Sequence, residues 1–249
     1  MSGPVVVITG ALTGIGRATA LAFARDGARV VVSGRREEAG QVLAEELRKL
    51  GAEAEFIRVD VRNDDDVRNL IDKTMARFGR LDVAVNNAGT SGGTGPLTEQ
   101  TPESYAAAFD TNVLGTFLSL KHELRVMLPQ GRGSIVNLSS TMGSRGAVGA
   151  SMYVASKHAV EGLTKAAALE GAAGGVRVNA VAPGPVATDL LDRFTSNSTE
   201  KKAALAAGVP LKRLGNPEEI AETIVFLASD KASFLTGQIV GVNGGKTAF

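Results

Sequence analysis

The sequence has no cysteine and no tryptophan, only two tyrosines and two histidines, and its aromatic residues make up 4% of 249 positions. Without cysteine there is no disulfide, no thiolate nucleophile and no thiolate metal ligand, which fits a cytoplasmic address. His122 and His158 stand apart from any His/Asp/Glu cluster, so no metal site is expected. An excess of one charge is missing too. Lys plus Arg number 27 against 26 Asp plus Glu, a formal charge of +1 with no basic block. That balance offers no electrostatic footprint for nucleic acid or an anionic membrane. No apolar stretch approaches the roughly 18 residues of a membrane span. The opening MSGPVVVITG lacks the basic-then-apolar order of a signal peptide. No low-complexity segment, short repeat or Pro/Gly/Ser-rich linker divides the chain. A single domain over 1–249 is therefore expected.

What is plentiful is apolar residues, at 44%, and glycine, at 30 residues. PVVVIT and RVVVSG are short, continuous apolar runs, the mark of strands buried on both faces. Between and after them come segments of helical spacing, such as GIGRATALAFARDGA and REEAGQVLAEELRKLGA. The rhythm continues through EAEFIRVDV, LDVAVNNAG, GSIVNLSS, GVRVNAVAPG and GQIVGVNGG. This alternation predicts an α/β fold of the Rossmann type: a doubly wound sheet of about seven parallel strands with helices on both faces. Thr101 with Pro102, and Asn216 with Pro217 and Glu219, carry helix-start signals. One polar, Ala-rich segment, 188–210, falls outside the rhythm and is too long for an ordinary connection, as lids often are.

Three local patterns carry chemistry. TGALTGIG, at 9–16, places Gly10, Gly14 and Gly16 between the first strand and first helix. Such a turn either serves packing or lets the backbone approach a diphosphate, with the helix N–H groups facing the anion. At the end of the second strand Gly34 stands where a ribose-binding acid would be expected, and Arg35 and Arg36 follow. These arginines are either solvated or face a 2′-phosphate. A cation opposes the dipole at a helix start, which favours the second reading and hence NADP(H) over NAD(H). Finally, SMYVASKHAV sets Tyr153 and Lys157 four residues apart, neighbours on one helix face. Such a pair is chance or an acid–base device.

Together these stretches resemble the short-chain dehydrogenase/reductase family. The resemblance spans essentially the whole chain: TGALTGIG, NNAG at 86–89, Asn112, SS ending at Ser140, YVASK at 153–157 and PGPVAT at 183–188, in the family's order and spacing. It implies an NAD(P)-dependent oxidoreductase acting on a small-molecule ketone or secondary alcohol. By that resemblance Tyr153 is the general acid or base, and Lys157 lowers its pKa and meets the nicotinamide ribose. Ser140 donates to the substrate oxygen, and Asn112 holds a water in a proton relay. Gly10, Thr13, Gly14, Ile15 and Gly16 would hold the diphosphate, Arg35 the 2′-phosphate, and Asp60 with Val61 the adenine. Asn86, Ala88 and Gly89 would line the cofactor, as would Pro183, Gly184, Val186 and Thr188 around the carboxamide. A free phenol has a pKa of about 10, so lowering it by about two or three pH units would bring it near working pH.

Some features depart from the family. Ala11 is a harmless one; Thr13 lacks the basic character of some NADP users; Asn243 replaces a frequent Asp. The resemblance also implies a homotetramer, with helices near 103–128 and 152–173 at one interface. The substrate pocket is expected from 91–96, 141–148 and Leu190, Leu191 and Phe194, with Arg145 either solvated or facing an acidic group. The competing reading is a non-catalytic dinucleotide-binding regulator. An altered Ser, Tyr or Lys would signal it, and all three are intact. A lyase or epimerase on the same scaffold is required by nothing in the sequence.

Overall fold

A computed structural model describes residues 3–248. The apolar runs become seven strands in one wholly parallel sheet: β1 (Val5–Thr9), β2 (Arg29–Gly34), β3 (Ala54–Arg58), β4 (Val83–Asn86), β5 (Gly133–Leu138), β6 (Val176–Pro183) and β7 (Ile239–Val242). Their order is β3-β2-β1-β4-β5-β6-β7. Between β1 and β4 the winding reverses, and in such sheets the crevice at that reversal takes the ligand. Strand alternation sends Val6 and Ile8 into one core and Val7 into the other.

The first core is closed by α1 (Gly14–Arg25), α2 (Glu37–Lys49) and, later in the chain, the helix Pro217–Ala228. The second is closed by α3 (Asp64–Phe78) and, further on, by the helices around 115–130 and 151–172. Caps fix where several helices start. Asn63 accepts from the Asp66 N–H at the head of α3. Thr101 and Ser104 exchange side-chain and backbone bonds ahead of α4 (Pro102–Phe109).

The long helix expected near 103–128 is interrupted. After α4 comes a π-type turn, Asp110–Leu114, and only then α5 (Gly115–Gln130). The helix α6 (Ser151–Ala172) is continuous. The polar stretch 188–210 is not an irregular loop. It holds α7 (Asp189–Phe194), capped by Thr188, and α8 (Thr199–Ala207), capped by Ser198, and it is anchored by buried Leu191, Thr195 and Val209. The helix Pro217–Ala228 is α9, opened by the Asn216 N–H donating to Glu219 at 2.8 Å. Among the described residues no helix is long and apolar enough to cross a membrane.

Candidate active site

The carboxyl ends of β1, β4, β5 and β6 face two adjoining cavities. One is a groove lined by Gly10, Thr13, Gly14 and Ile15, by Arg35, Asp60 and Val61, and by Asn87, Ala88 and Gly89. The other, of about 920 Å³ and partly open to solvent, is lined by Ser140, Tyr153, Lys157, Pro183, Gly184, Val186 and Thr188. Ile15, Asn87, Gly89, Thr90, Thr188 and Leu190 border both, so a single elongated ligand can occupy the two together.

The groove fits a dinucleotide. Gly10 and Gly14 have φ of 63° and 54°, where a side chain is strained. A Cβ on Gly10 would meet the Ala88 backbone at 2.7 Å, and one on Gly14 would meet Thr188 at 3.1 Å. Thr13 makes no side-chain bond to the first turn of α1, leaving those N–H groups for an anion. Gly16 stands behind this wall rather than in it. A Cβ there would lie 2.4 Å from Asn87 Nδ2, so its task is close packing.

At the second cavity, α6 presents Tyr153 and Lys157 on one face. The Lys157 ammonium donates to the Leu138 carbonyl at 2.7 Å, and it lies 5.6 Å from the centre of the Tyr153 ring. Ser140 Oγ accepts the Met142 N–H at 3.1 Å and keeps its own proton to donate, here towards the Tyr153 oxygen. Behind it, Ser139 donates to Glu161 Oε1 at 2.7 Å, anchoring this loop to α6.

Several expectations need correction. The Tyr153 phenol is not lowered in the protein alone. Burial pushes it up to about 12, with the Ser140 hydroxyl pulling the other way, while burial brings Lys157 down to about 8. Asn86 does not line a cofactor groove. It is buried, with its amide donating to Glu123 at 3.0 Å and to Asn137 at 2.9 Å. Its neighbour Asn87 faces both cavities and donates to Gly10 O at 2.8 Å. Asn112, in the π-type turn, spends both of its amide protons on the protein. Its Oδ1 accepts from Thr90 N–H at 2.8 Å, and its Nδ2 donates to Thr90 O and Ser156 Oγ, both at 2.9 Å. It clamps the loop after β4. Asp60 lies beyond β3 at the edge of the groove, where its carboxylate is also engaged by Arg62 at 2.6 Å. That hydrogen bond holds it below the usual carboxylate range. Arg145 is not a free cation at the pocket, because its guanidinium donates to the Lys246 carbonyl. Of the expected pocket loops, Ser91, Thr141 and Met142 line the cavity with Leu190, Leu191 and Phe194, whereas Val148 is fully exposed. Asn87 could have been found from its place just past the carboxyl end of β4, where parallel sheets put their ligand-facing residues. Lys246, which also lines the cavity, left no local signal.

The profile of a family described as enoyl-(acyl carrier protein) reductase matches residues 10–247. The chain is 45% identical over 244 residues to the cis-4-hydroxycyclohexanecarboxylate dehydrogenase of Sinomonas cyclohexanicum, covering 98% of this chain and 96% of that one. This chain belongs to the short-chain dehydrogenase/reductase family. Within that family it is also 39% identical over 263 residues to a 3beta-hydroxysteroid dehydrogenase of Mediterraneibacter gnavus, covering 98% and 95%. Among solved short-chain dehydrogenase/reductase structures, a point variant of actinorhodin polyketide ketoreductase with NADPH superposes with a TM-score of 0.94. It is 38% identical, and the match covers 99% of this chain and 98% of that one. The chain is thus an oxidoreductase of the alcohol–ketone type that uses a nicotinamide dinucleotide.

Proposed function

We propose that this chain, acting as a single catalytic unit, transfers hydride between NADP(H) and a secondary alcohol or ketone borne on a ring. The observation that carries this reading is the set of Ser140, Tyr153 and Lys157 on one cavity wall, continuous with the glycine-loop groove. Relatives acting on a hydroxycyclohexanecarboxylate and a hydroxysteroid support the ring, and the mostly apolar wall of Met142, Leu190, Leu191 and Phe194 suits one. Arg35 beside Gly34 supports the 2′-phosphate.

In this reading the bound dinucleotide supplies or takes up the hydride. Ser140 donates its proton to the substrate oxygen and stabilises charge developing there. Tyr153 is a protonated phenol at neutral pH, so it can deliver a proton to that oxygen in reduction. Lys157, charged below about pH 8, stabilises the phenolate left behind. Leu191, Phe194 and Leu205 come from 188–210, which acts as a lid that excludes water when closed. Exposed Tyr105, Phe117 and Leu169 on α4, α5 and α6 support self-association as a homotetramer, closed point-group symmetry being the common outcome.

The experiment is Tyr153→Phe, assayed on cyclic ketones with NADPH and, separately, for NADPH binding by fluorescence. Loss of the general acid should cost about 100-fold or more in kcat with binding retained. In the wild type, kcat/KM for reduction should fall above about pH 8 as Lys157 loses its proton. A variant keeping more than about a tenth of wild-type kcat would remove Tyr153 from the proton transfer.

A further inference from the structure

The walls of the catalytic cavity are unequal in charge. Among the described residues lining it there are two lysines, Lys157 and Lys246, and no carboxylate. Lys157 is committed to the Leu138 carbonyl and to the phenol beside it. Lys246 is different. It is half-buried, it comes from the tail after β7, and its ammonium has no ion pair or hydrogen bond among the described residues.

The tail is built to put it there. Gly244 and Gly245, at φ of 62° and 87°, turn the chain back after β7. Asn243 pins the turn, accepting from Gly245 N–H at 3.1 Å and donating to Thr247 Oγ1 at 2.8 Å. The Leu211 N–H holds Gly244 O at 3.2 Å from the end of the lid, and Arg145 holds the Lys246 carbonyl from the substrate loop. The backbone at Lys246 is thus fixed by two loops that themselves border the pocket. An ammonium at the border of a mostly apolar cavity attracts an anion more strongly than one in open water does.

We propose that Lys246 is a specificity residue that binds a carboxylate on the substrate in this cavity. The substrate class is then a ring-borne hydroxy- or oxo-carboxylic acid. One ammonium among apolar side chains matches a single carboxylate on a hydrocarbon body better than a phosphate, which would draw several donors. This rests on the hydride-transfer reading given above and deepens it.

The test compares 4-oxocyclohexanecarboxylate, its methyl ester and cyclohexanone as substrates of the wild type, Lys246→Met and Lys246→Arg, with NADPH. The acid should exceed the ester in kcat/KM by about ten- to a hundredfold in the wild type, chiefly through KM. Lys246→Met should bring that ratio close to one, and Lys246→Arg should keep most of it. Cyclohexanecarboxylate, which has no oxygen to reduce, should inhibit the wild type competitively and Lys246→Met at least about tenfold less well. An ester used as well as the acid by the wild type, or a ratio unchanged in Lys246→Met, overturns the assignment while leaving hydride transfer intact. Failure to reduce any of the three ketones overturns both.

Discussion

The sharpest prediction concerns the cofactor's 2′-phosphate. Arg35 is exposed at the groove beside Gly34, where its planar donor fork can reach a phosphate. Two neighbours limit its pull. Arg62 is held by Asp60 at 2.6 Å and so adds little, and the Asp60 carboxylate feels Arg35 across the groove. A single charge-assisted contact of this kind is worth about 1.5–3 kcal/mol, or about ten- to a hundredfold in preference for NADPH. Arg35→Ala should therefore bring the NADPH-to-NADH ratio of kcat/KM close to one. Reversing it needs a carboxylate at Gly34, and the packing there matters. A Cβ on Gly34 would lie 2.8 Å from Leu12 Cδ1 and Cγ, so Gly34→Asp must push that side chain aside. The triple change Leu12→Ala, Gly34→Asp, Arg35→Ala gives the acid room to accept from a 2′-OH and to repel a phosphate. Steady-state kinetics with both cofactors, backed by fluorescence dissociation constants, reads the outcome. A wild type with higher kcat/KM for NADH, or an Arg35→Ala ratio equal to wild type, would refute the reasoning.

Three further outcomes are expected. Glu123 is buried and pushed up to about 8 from an ordinary value of 4.5, so it is neutral when folded at neutral pH and ionises on unfolding. Stability should then fall as pH rises from about 4.5 to about 8, by up to about 5 kcal/mol, and Glu123→Gln should flatten that slope; parallel Tm-versus-pH curves for the two proteins would contradict this. Hydrogen exchange in 188–210 should slow when NADPH binds; rates as slow as the core strands without ligand and unchanged by it would end the lid reading. Light scattering should give four copies, and a concentration-independent monomer would refute the homotetramer.

Much of the fold is legible in the sequence because parallel strands buried on both faces must be continuous apolar runs, as PVVVIT and RVVVSG are. The glycine turn is legible because only a strand, a tight turn and a helix start together make a phosphate cradle. Where several residues act through one another, spacing is silent. Asn86 and Asn137 meet because β4 and β5 pair in register, and Glu123 completes their network from α5. α7 and α8 give a weak signal because their anchors are few, Leu191, Thr195 and Val209, among many polar residues. The meeting of Arg145 with Lys246 joins positions 101 apart in sequence, and no local pattern encodes it. The direction of the Tyr153 shift is hidden for a similar reason. Spacing shows the pairing with Lys157, but only the folded chain shows the desolvation that outweighs the lowering pull of the Ser140 hydroxyl.

The π-type turn at Asp110–Leu114 has a consequence for how this chain tolerates insertions and deletions. Such a turn holds one residue more than an α-helical register would. Deleting one residue there would still leave an unbroken helix, and on paper it would be the mildest of edits. The turn takes up its extra residue by winding more slowly, so a deletion that restored α-helical register would leave α5 close to its present phase relative to α4. The damage would be local: Asn112, inside the turn, would lose its grip on Thr90 and Ser156, while the α5 face that buries Leu118, His122 and Glu123 would stay on the sheet. The extra residue thus serves the loop that Asn112 clamps rather than the packing of the two halves of the helix. Homologous chains that differ in length at this point should differ in how the loop after β4 is held, even where every other residue of the site agrees.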